Sequence, residues 1–205
     1  FEVFLIRRAD AYIFCSSDIE SFYGAYIGNK PYIVLPNYVD KTQFFPDLNL
    51  PQVKQFFYLG RLIELKGVEE AACFVDRLGE AMNTSFVGQG PLEEKVSAMG
   101  ISIIPSIPND QLGVFMNTHK YVVSFSKTEG SPKALLEAVF CGLYPVLSDI
   151  PVHREIVDKL GYGVIVKNPS DLNFDVDSPR HIVLRDNLEH FTAEYSLKNH
   201  IEVEL

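Results

Sequence analysis

From residue 56 onward, short β-branched or aromatic runs alternate with amphipathic stretches. Runs at 56–59, 85–87, 101–104, 121–125, 145–148 and 163–166 predict six strands, spaced too far apart for hairpins. Between the first two, 67–79 predicts a helix in which Val68, Ala71, Ala72, Val75 and Leu78 recur along one buried face. Glu69 and Glu70 fall in its first turn, where they suit the positive end of the helix dipole. Pro91 and Pro132 each fit a first helical position, with Ser131 the N-cap before the second. Strand and helix in steady alternation predict an α/β fold with a parallel sheet covered on both faces.

The first fifty residues keep a different rhythm: a strand at 11–14, a helix at 17–26 opened by Ser17-Asp18, and a strand at 32–35 ended by Pro36-Asn37. Two strands and one helix cannot close a core alone, so this segment is expected to be the edge of something larger. Pro46 and Pro51 frame the best linker. The expected organisation is therefore 1–45 as the remnant of an upstream domain, 46–195 as the main sheet domain, and 196–205 as a terminal helix capped by Ser196.

Composition narrows the function. The 205 residues are 47% hydrophobic and 22% charged, a globular average for one domain plus part of another. The longest apolar stretch, 138–147, is broken by Gly142 and Pro145 and is about half the ~20 residues of a membrane helix, so no membrane span is expected. With 27 acidic against 18 basic residues the net charge is −9, which argues against a nucleic-acid partner and requires any anionic ligand to be held locally. Cys15, Cys73 and Cys141 are odd in number and far apart, suggesting a reducing, cytoplasmic setting. Arg7-Arg8 follow an apolar run rather than precede it, the wrong order for a signal peptide, and without an initiating methionine an upstream segment is expected.

In a parallel sheet, ligands bind beyond the carboxyl ends of the strands. After 56–59 comes Gly60-Arg61-Leu62-Ile63-Glu64-Leu65-Lys66-Gly67, where glycines allow close backbone approach, Arg61 can grip a phosphate with two prongs and Lys66 adds a point charge. After 121–125 comes Glu129-Gly130-Ser131-Pro132-Lys133-Ala134, a helix start whose amides at Lys133 and Ala134 are free to meet an anion. Glu129 and Glu137 can face the same crevice, and a carboxylate beside a phosphate site suits a neutral polyol such as a ribose or hexose. The plainer reading makes Arg61 and Lys66 solvated cations, Glu129 a loop acid and Glu137 an exposed helix residue.

Taken together, the Gly60-Arg61-Leu62…Lys66-Gly67 loop, Gly88-Gln89-Gly90-Pro91-Leu92, the pair Glu129…Glu137, and Leu136-Glu137-Ala138…Gly142…Pro145-Val146 resemble the Rossmann-like donor domain of family-four retaining glycosyltransferases of GT-B fold, glycosyl transferases group 1. Ala9-Asp10…Ser16…Pro36-Asn37-Tyr38-Val39-Asp40…Phe45-Pro46 is similar to that family's passage from acceptor to donor domain. The resemblance implies a nucleotide-diphosphate sugar as donor, no cofactor or metal, and an acceptor that is a glycan, lipid or protein. It implies that Arg61 and Lys66 neutralise the diphosphate, Glu129 holds hydroxyls of the transferred sugar, and Glu137 holds the ribose. Gly60 allows backbone approach, amides around Gly130, Ser131, Pro132, Lys133 and Ala134 meet phosphate, and Ser106 and Ile107 border the base. Arg61, Lys66 and Glu129 are thus the expected catalytic set.

Two departures stand out. The family's Pro-Asn-Gly-Val-Asp carries Tyr38 here, and the segment after Glu129 is Gly-Ser-Pro instead of Gly-Phe-Gly. Only the last elements of an acceptor domain are present, so a missing domain or a partner chain is expected to supply acceptor contacts. The isolated chain is then expected to be incomplete or inactive, and any membrane association would be peripheral, through the acceptor. Asp175-Val176-Asp177 imitates a metal-binding Asp-x-Asp but reads better as helix-start acids. Gly88-Gln89-Gly90 lacks the third glycine of a dinucleotide fingerprint, which disfavours an oxidoreductase or epimerase. The alternative to a transferase is a nucleotide-sugar binding module that performs no transfer itself.

Overall fold

In the computed structural model, residues 8–35 and 37–169 of the 205-residue chain are described. The expected helices after residue 178, the capping Ser196 and the Asp175-Val176-Asp177 tripeptide lie outside them. The chain opens with β1 (Tyr12–Phe14), α1 (Ser17–Ile27) and β2 (Tyr32–Val34). Next come β3 (Lys54–Leu59), α2 (Val68–Arg77), β4 (Thr84–Val87), α3 (Glu93–Ser97) and β5 (Ser102–Ile104). The series continues with α4 (Asn109–Met116), β6 (His119–Ser124), α5 (Lys133–Phe140), β7 (Tyr144–Ser148), α6 (Pro151–Leu160) and β8 (Val164–Val166).

All six expected strands are present within two residues of their predicted ends, and every pairing among them is parallel. The sheet order is β5-β4-β3-β6-β7-β8, with Phe57 opposite Ser85 on one side and Val122 on the other. Alternation along each strand sends neighbours to opposite faces. Phe57, Val122 and Leu147 pack with α4, α5 and α6, while Phe56, Tyr58, Tyr121 and Val123 pack with α2 and α3. Phe56 and Phe57 are fully buried, and each contributes on the order of 2 kcal/mol by burial. The helices α4 and α6 were not located from the sequence, although Pro151 at the first turn and Val152, Ile156 and Leu160 at four-residue spacing mark α6.

Two local expectations, both at helix starts, are corrected, at Pro91 and at Ser131. The first helix starts at Ser17 as expected, and Ser16 caps it, its hydroxyl accepting from the Ile19 amide at 3.3 Å. Pro91 does not open a helix: α3 starts at Glu93, because the turn ahead of it is bonded to the loop after β3. Gly60 N–H donates to Val87 O, Leu62 N–H to Gln89 O and Leu92 N–H to Leu62 O, at 2.9–3.1 Å. A Cβ on Gly88 would lie 1.9 Å from the Gly60 carbonyl oxygen, and one on Gly90 would lie 2.3 Å from that of Leu62. These two glycines serve contact between loops.

The opening elements form a separate two-stranded parallel sheet, β1 against β2. Ile13 and Phe22 are 68% and 69% exposed, and Tyr26, Tyr32 and Val34 are also exposed. Beyond them the chain is fastened to the main sheet: Val39 and Phe44 are buried in its core, and Asn117 holds Phe45 and Asp47 through hydrogen bonds of 2.9 and 2.8 Å. Among the described residues no helix is long and apolar enough to cross a membrane.

Candidate functional site

Strand order reverses between β3 and β6: β4 and β5 lie to one side of β3, β7 and β8 to the other side of β6. At such a switch point the loops leaving the two strands diverge and leave a crevice beyond the carboxyl ends. A cavity of about 320 Å³ lies there, lined by Gly60, Arg61 and Lys66 from the first loop and by Glu129, Ser131, Pro132, Lys133 and Ala134 from the second. Eight of the expected site residues therefore converge on one space. Gly130, Glu137, Ser106 and Ile107 are not among its lining residues. Ser106 is exposed, and Ile107 packs against the apolar core.

The two loops are held at a set spacing. Lys127 N–H donates to Leu65 O at 3.0 Å, and Gly67, at φ +59, sits where a Cβ would be 1.8 Å from the Phe125 carbonyl oxygen. Only glycine allows that approach in a left-handed conformation. Across this seam Lys66 Nζ lies 2.5 Å from Glu129 Oε1, with both side chains largely buried. Ser126 Oγ donates to the same carboxylate oxygen at 2.7 Å. Arg61 is exposed at the rim and forms no ion pair among the described residues.

The helix start expected to meet an anion is that of α5. Its first helical residue is Lys133 and its N-cap position is held by Pro132, with no side-chain cap. Ser131 is therefore not the cap. Its hydroxyl accepts instead from the Asn37 backbone N–H at 2.9 Å, while Asn37 Nδ2 donates to the Ser131 carbonyl at 2.7 Å. A proline at the cap position offers no oxygen to the first amides, so those of Lys133 and Ala134 remain directed toward the cavity end of the helix. Gly130 plays a packing role instead. A Cβ there would come within 2.8 Å of Cys15 Sγ and 2.7 Å of Ile19 Cδ1, so this glycine seats the start of α1.

Glu137 is 5% exposed, unlike an ordinary surface helix residue. Burial raises its carboxyl pKa, and Lys133, 3.6 Å away, opposes that rise. Tyr58, which the sequence pattern did not single out, lines the cavity and donates its hydroxyl to the Arg61 carbonyl at 3.0 Å, bracing the loop from below. Burial, then the charge of Glu129, pushes its phenol well above the ordinary value. Ser124 and Ser126 also line the cavity without having been expected there. The available signal was their position at the carboxyl end of the strand at 121–125. Among the described residues no three His, Cys, Asp or Glu side chains cluster as a metal site.

The six-stranded, doubly wound parallel sheet flanked by helices is the Rossmann-like fold found in glycosyltransferases of GT-B fold. The chain belongs to the family described as Glycosyl transferases group 1, whose model matches residues 40–175. A GDP-mannose:cellobiosyl-diphosphopolyprenol alpha-mannosyltransferase of Xanthomonas campestris is 33% identical over 112 residues, 55% of this chain and 28% of that protein. A variant of S. aureus TarM, crystallised with fondaparinux, alpha-GlcNAc-glycerol and UDP, superposes with a TM-score of 0.78 at 17% identity, over 98% of this chain and 45% of that one. The C-terminal domain of a Francisella tularensis glycosyl transferase group 1 protein, LpcC, superposes with a TM-score of 0.58 at 21% identity, over 78% of this chain and 99% of that domain. The chain thus spans about a quarter of the mannosyltransferase and less than half of TarM.

Proposed function

We propose that this chain is the donor-binding half of a retaining, metal-independent glycosyltransferase that uses a nucleotide-diphosphate sugar. The observation that carries the reading is the convergence of Arg61, Lys66 and the uncapped start of α5 on a single cavity that also contains Glu129. In this reading the bond between the anomeric carbon and the diphosphate oxygen breaks while Arg61, Lys66 and the amides of Lys133 and Ala134 take up the charge on the leaving group. Glu129 accepts hydroxyls of the sugar. Glu137 is buried one helical turn into α5 and outside the cavity lining, so the ribose hydroxyls are assigned to it through the family resemblance alone. The acceptor hydroxyl adds from the face the diphosphate vacates, and its proton passes to the departing phosphate. Acceptor contacts come from an upstream domain or partner chain, which fits the exposed Ile13, Phe22 and Tyr32.

The reading is tested by titrating GDP, UDP, GDP-mannose and UDP-glucose into the chain and its Glu129→Gln variant, followed by an assay of transfer in the presence of candidate polyprenol and glycan acceptors. Binding of at least one sugar nucleotide, weakened by Glu129→Gln relative to its diphosphate, is expected. Failure of all four ligands to bind refutes the proposal. The second reading is a nucleotide-sugar binding module without transfer, and binding without turnover supports it.

A further inference from the structure

Glu129 is held in an unusual way for a carboxylate expected to receive sugar hydroxyls, since its Oε1 already contacts Lys66 at 2.5 Å. If Lys66 turns toward an incoming diphosphate, that contact is lost or shared, and some other group must keep the carboxylate in place. The available group is Ser126. Its hydroxyl donates to Oε1 at 2.7 Å from a residue only 2% exposed, so its direction is set by packing. Its backbone is anchored in turn: Ser148 Oγ, on the neighbouring strand β7, donates to the Ser126 carbonyl at 2.7 Å. Ser148 is itself flanked by His153 Nδ1, which lies 3.1 Å from both its hydroxyl and its carbonyl oxygen. His153 is fully buried in α6. A continuous path of hydrogen-bonding groups therefore runs from the buried side of α6 through β7 and the end of β6 to the carboxylate.

We propose that Ser126 is the positioning residue for Glu129, fixing its carboxylate toward the sugar side of the crevice while Lys66 engages the diphosphate. The inference deepens the donor-binding reading and rests on it. Its specific content is that sugar discrimination depends on a hydroxyl that need not touch the sugar. The surrounding Ser148 and His153 act through the backbone of Ser126.

Calorimetric titration of the full chain with the pairs GDP-mannose and GDP, and UDP-glucose and UDP, separates the possibilities. Loss of a hydrogen bond to a charged group should cost Ser126→Ala about tenfold in affinity for the sugar nucleotide that binds. The matching diphosphate should bind within about twofold of the unaltered chain, and Ser126→Thr, which keeps the hydroxyl, should recover most of the loss. Melting temperatures confirm that each variant is folded. Equal losses for sugar nucleotide and diphosphate, or no loss for either, would overturn the positioning role. If Glu129→Gln fails to lower sugar-nucleotide affinity relative to diphosphate, both the role of Glu129 and this proposal fall. If Glu129→Gln does so and Ser126→Ala does not, only the positioning proposal falls.

Discussion

Gly67 is the position where backbone geometry and the proposed chemistry meet, and replacing it with alanine tests both. Two costs add. Gly67 lies at φ +59, and an L-residue in the left-handed region costs roughly 1–2 kcal/mol. The new Cβ would also lie 1.8 Å from the Phe125 carbonyl oxygen and 2.5 Å from its carbon, so one backbone must retreat by more than 1 Å to restore ordinary contact. Overpacking of that kind costs about 1–3 kcal/mol, for a total of about 2–5. Gly79 is the control: it has φ +75, but nothing lies within 4 Å of its Cβ position, so Gly79→Ala carries only the conformational cost. At roughly 2–4 °C per kcal/mol for a chain of this size, Gly67→Ala should lower the melting temperature by roughly 4–20 °C and Gly79→Ala by roughly 2–8 °C. The retreat also parts the loops that carry Lys66 and Glu129, so GDP and UDP should bind more weakly to Gly67→Ala and unchanged to Gly79→Ala. Paired thermal melts and calorimetry read both effects. Equal losses in melting temperature would show that the Phe125 contact is not a constraint, and intact nucleotide binding in Gly67→Ala would break the link between seam and site.

Other outcomes follow from the same geometry. Arg61→Ala and Lys66→Ala should each weaken GDP or UDP binding by about 1.5–3 kcal/mol, the range of charge-assisted hydrogen bonds, as measured by calorimetry. Asn117→Ala removes three hydrogen bonds, from Asp47 N–H and to the carbonyls of Phe45 and Gly113, at a position 7% exposed; a loss of about 2–4 kcal/mol in urea denaturation is expected. His119 and His153 are pushed down to about 4 by burial, whereas the unfolded chain protonates near 6.5. Between these values the unfolded state binds more protons, so stability should be level above about pH 6.5 and fall as pH drops toward 4, by about 3 kcal/mol for each histidine, with the raised carboxyl of Glu137 offsetting part of it. Chemical denaturation from pH 7 to 4 checks the sign; constant stability across that window would contradict the burial of both rings.

Much of this protein could be read from local pattern. Short β-branched or aromatic runs mark the strands, and the i, i+3, i+4 face of α2 reports which side of that helix is buried; that information sits within a few neighbouring residues. Expecting a crevice beyond the strand ends likewise required only the order of strand, glycine-containing loop and helix, which is why Arg61, Lys66 and Glu129 could be named as its lining. Tertiary structure decided the rest. Only the order β5-β4-β3-β6-β7-β8 makes the loops after β3 and β6 neighbours, and so brings together Lys66 and Glu129, 63 residues apart. Ser131 turned from the expected cap into a tether because Asn37, 94 residues away, competes for its hydroxyl. Glu137 proved buried, and Gly88 and Gly90 proved to be packed against another loop, because burial of a given face depends on what folds over it. Amphipathic periodicity specifies that a surface is covered; strand order, set by long-range packing, specifies what covers it, and the chemistry of this site is a product of the second.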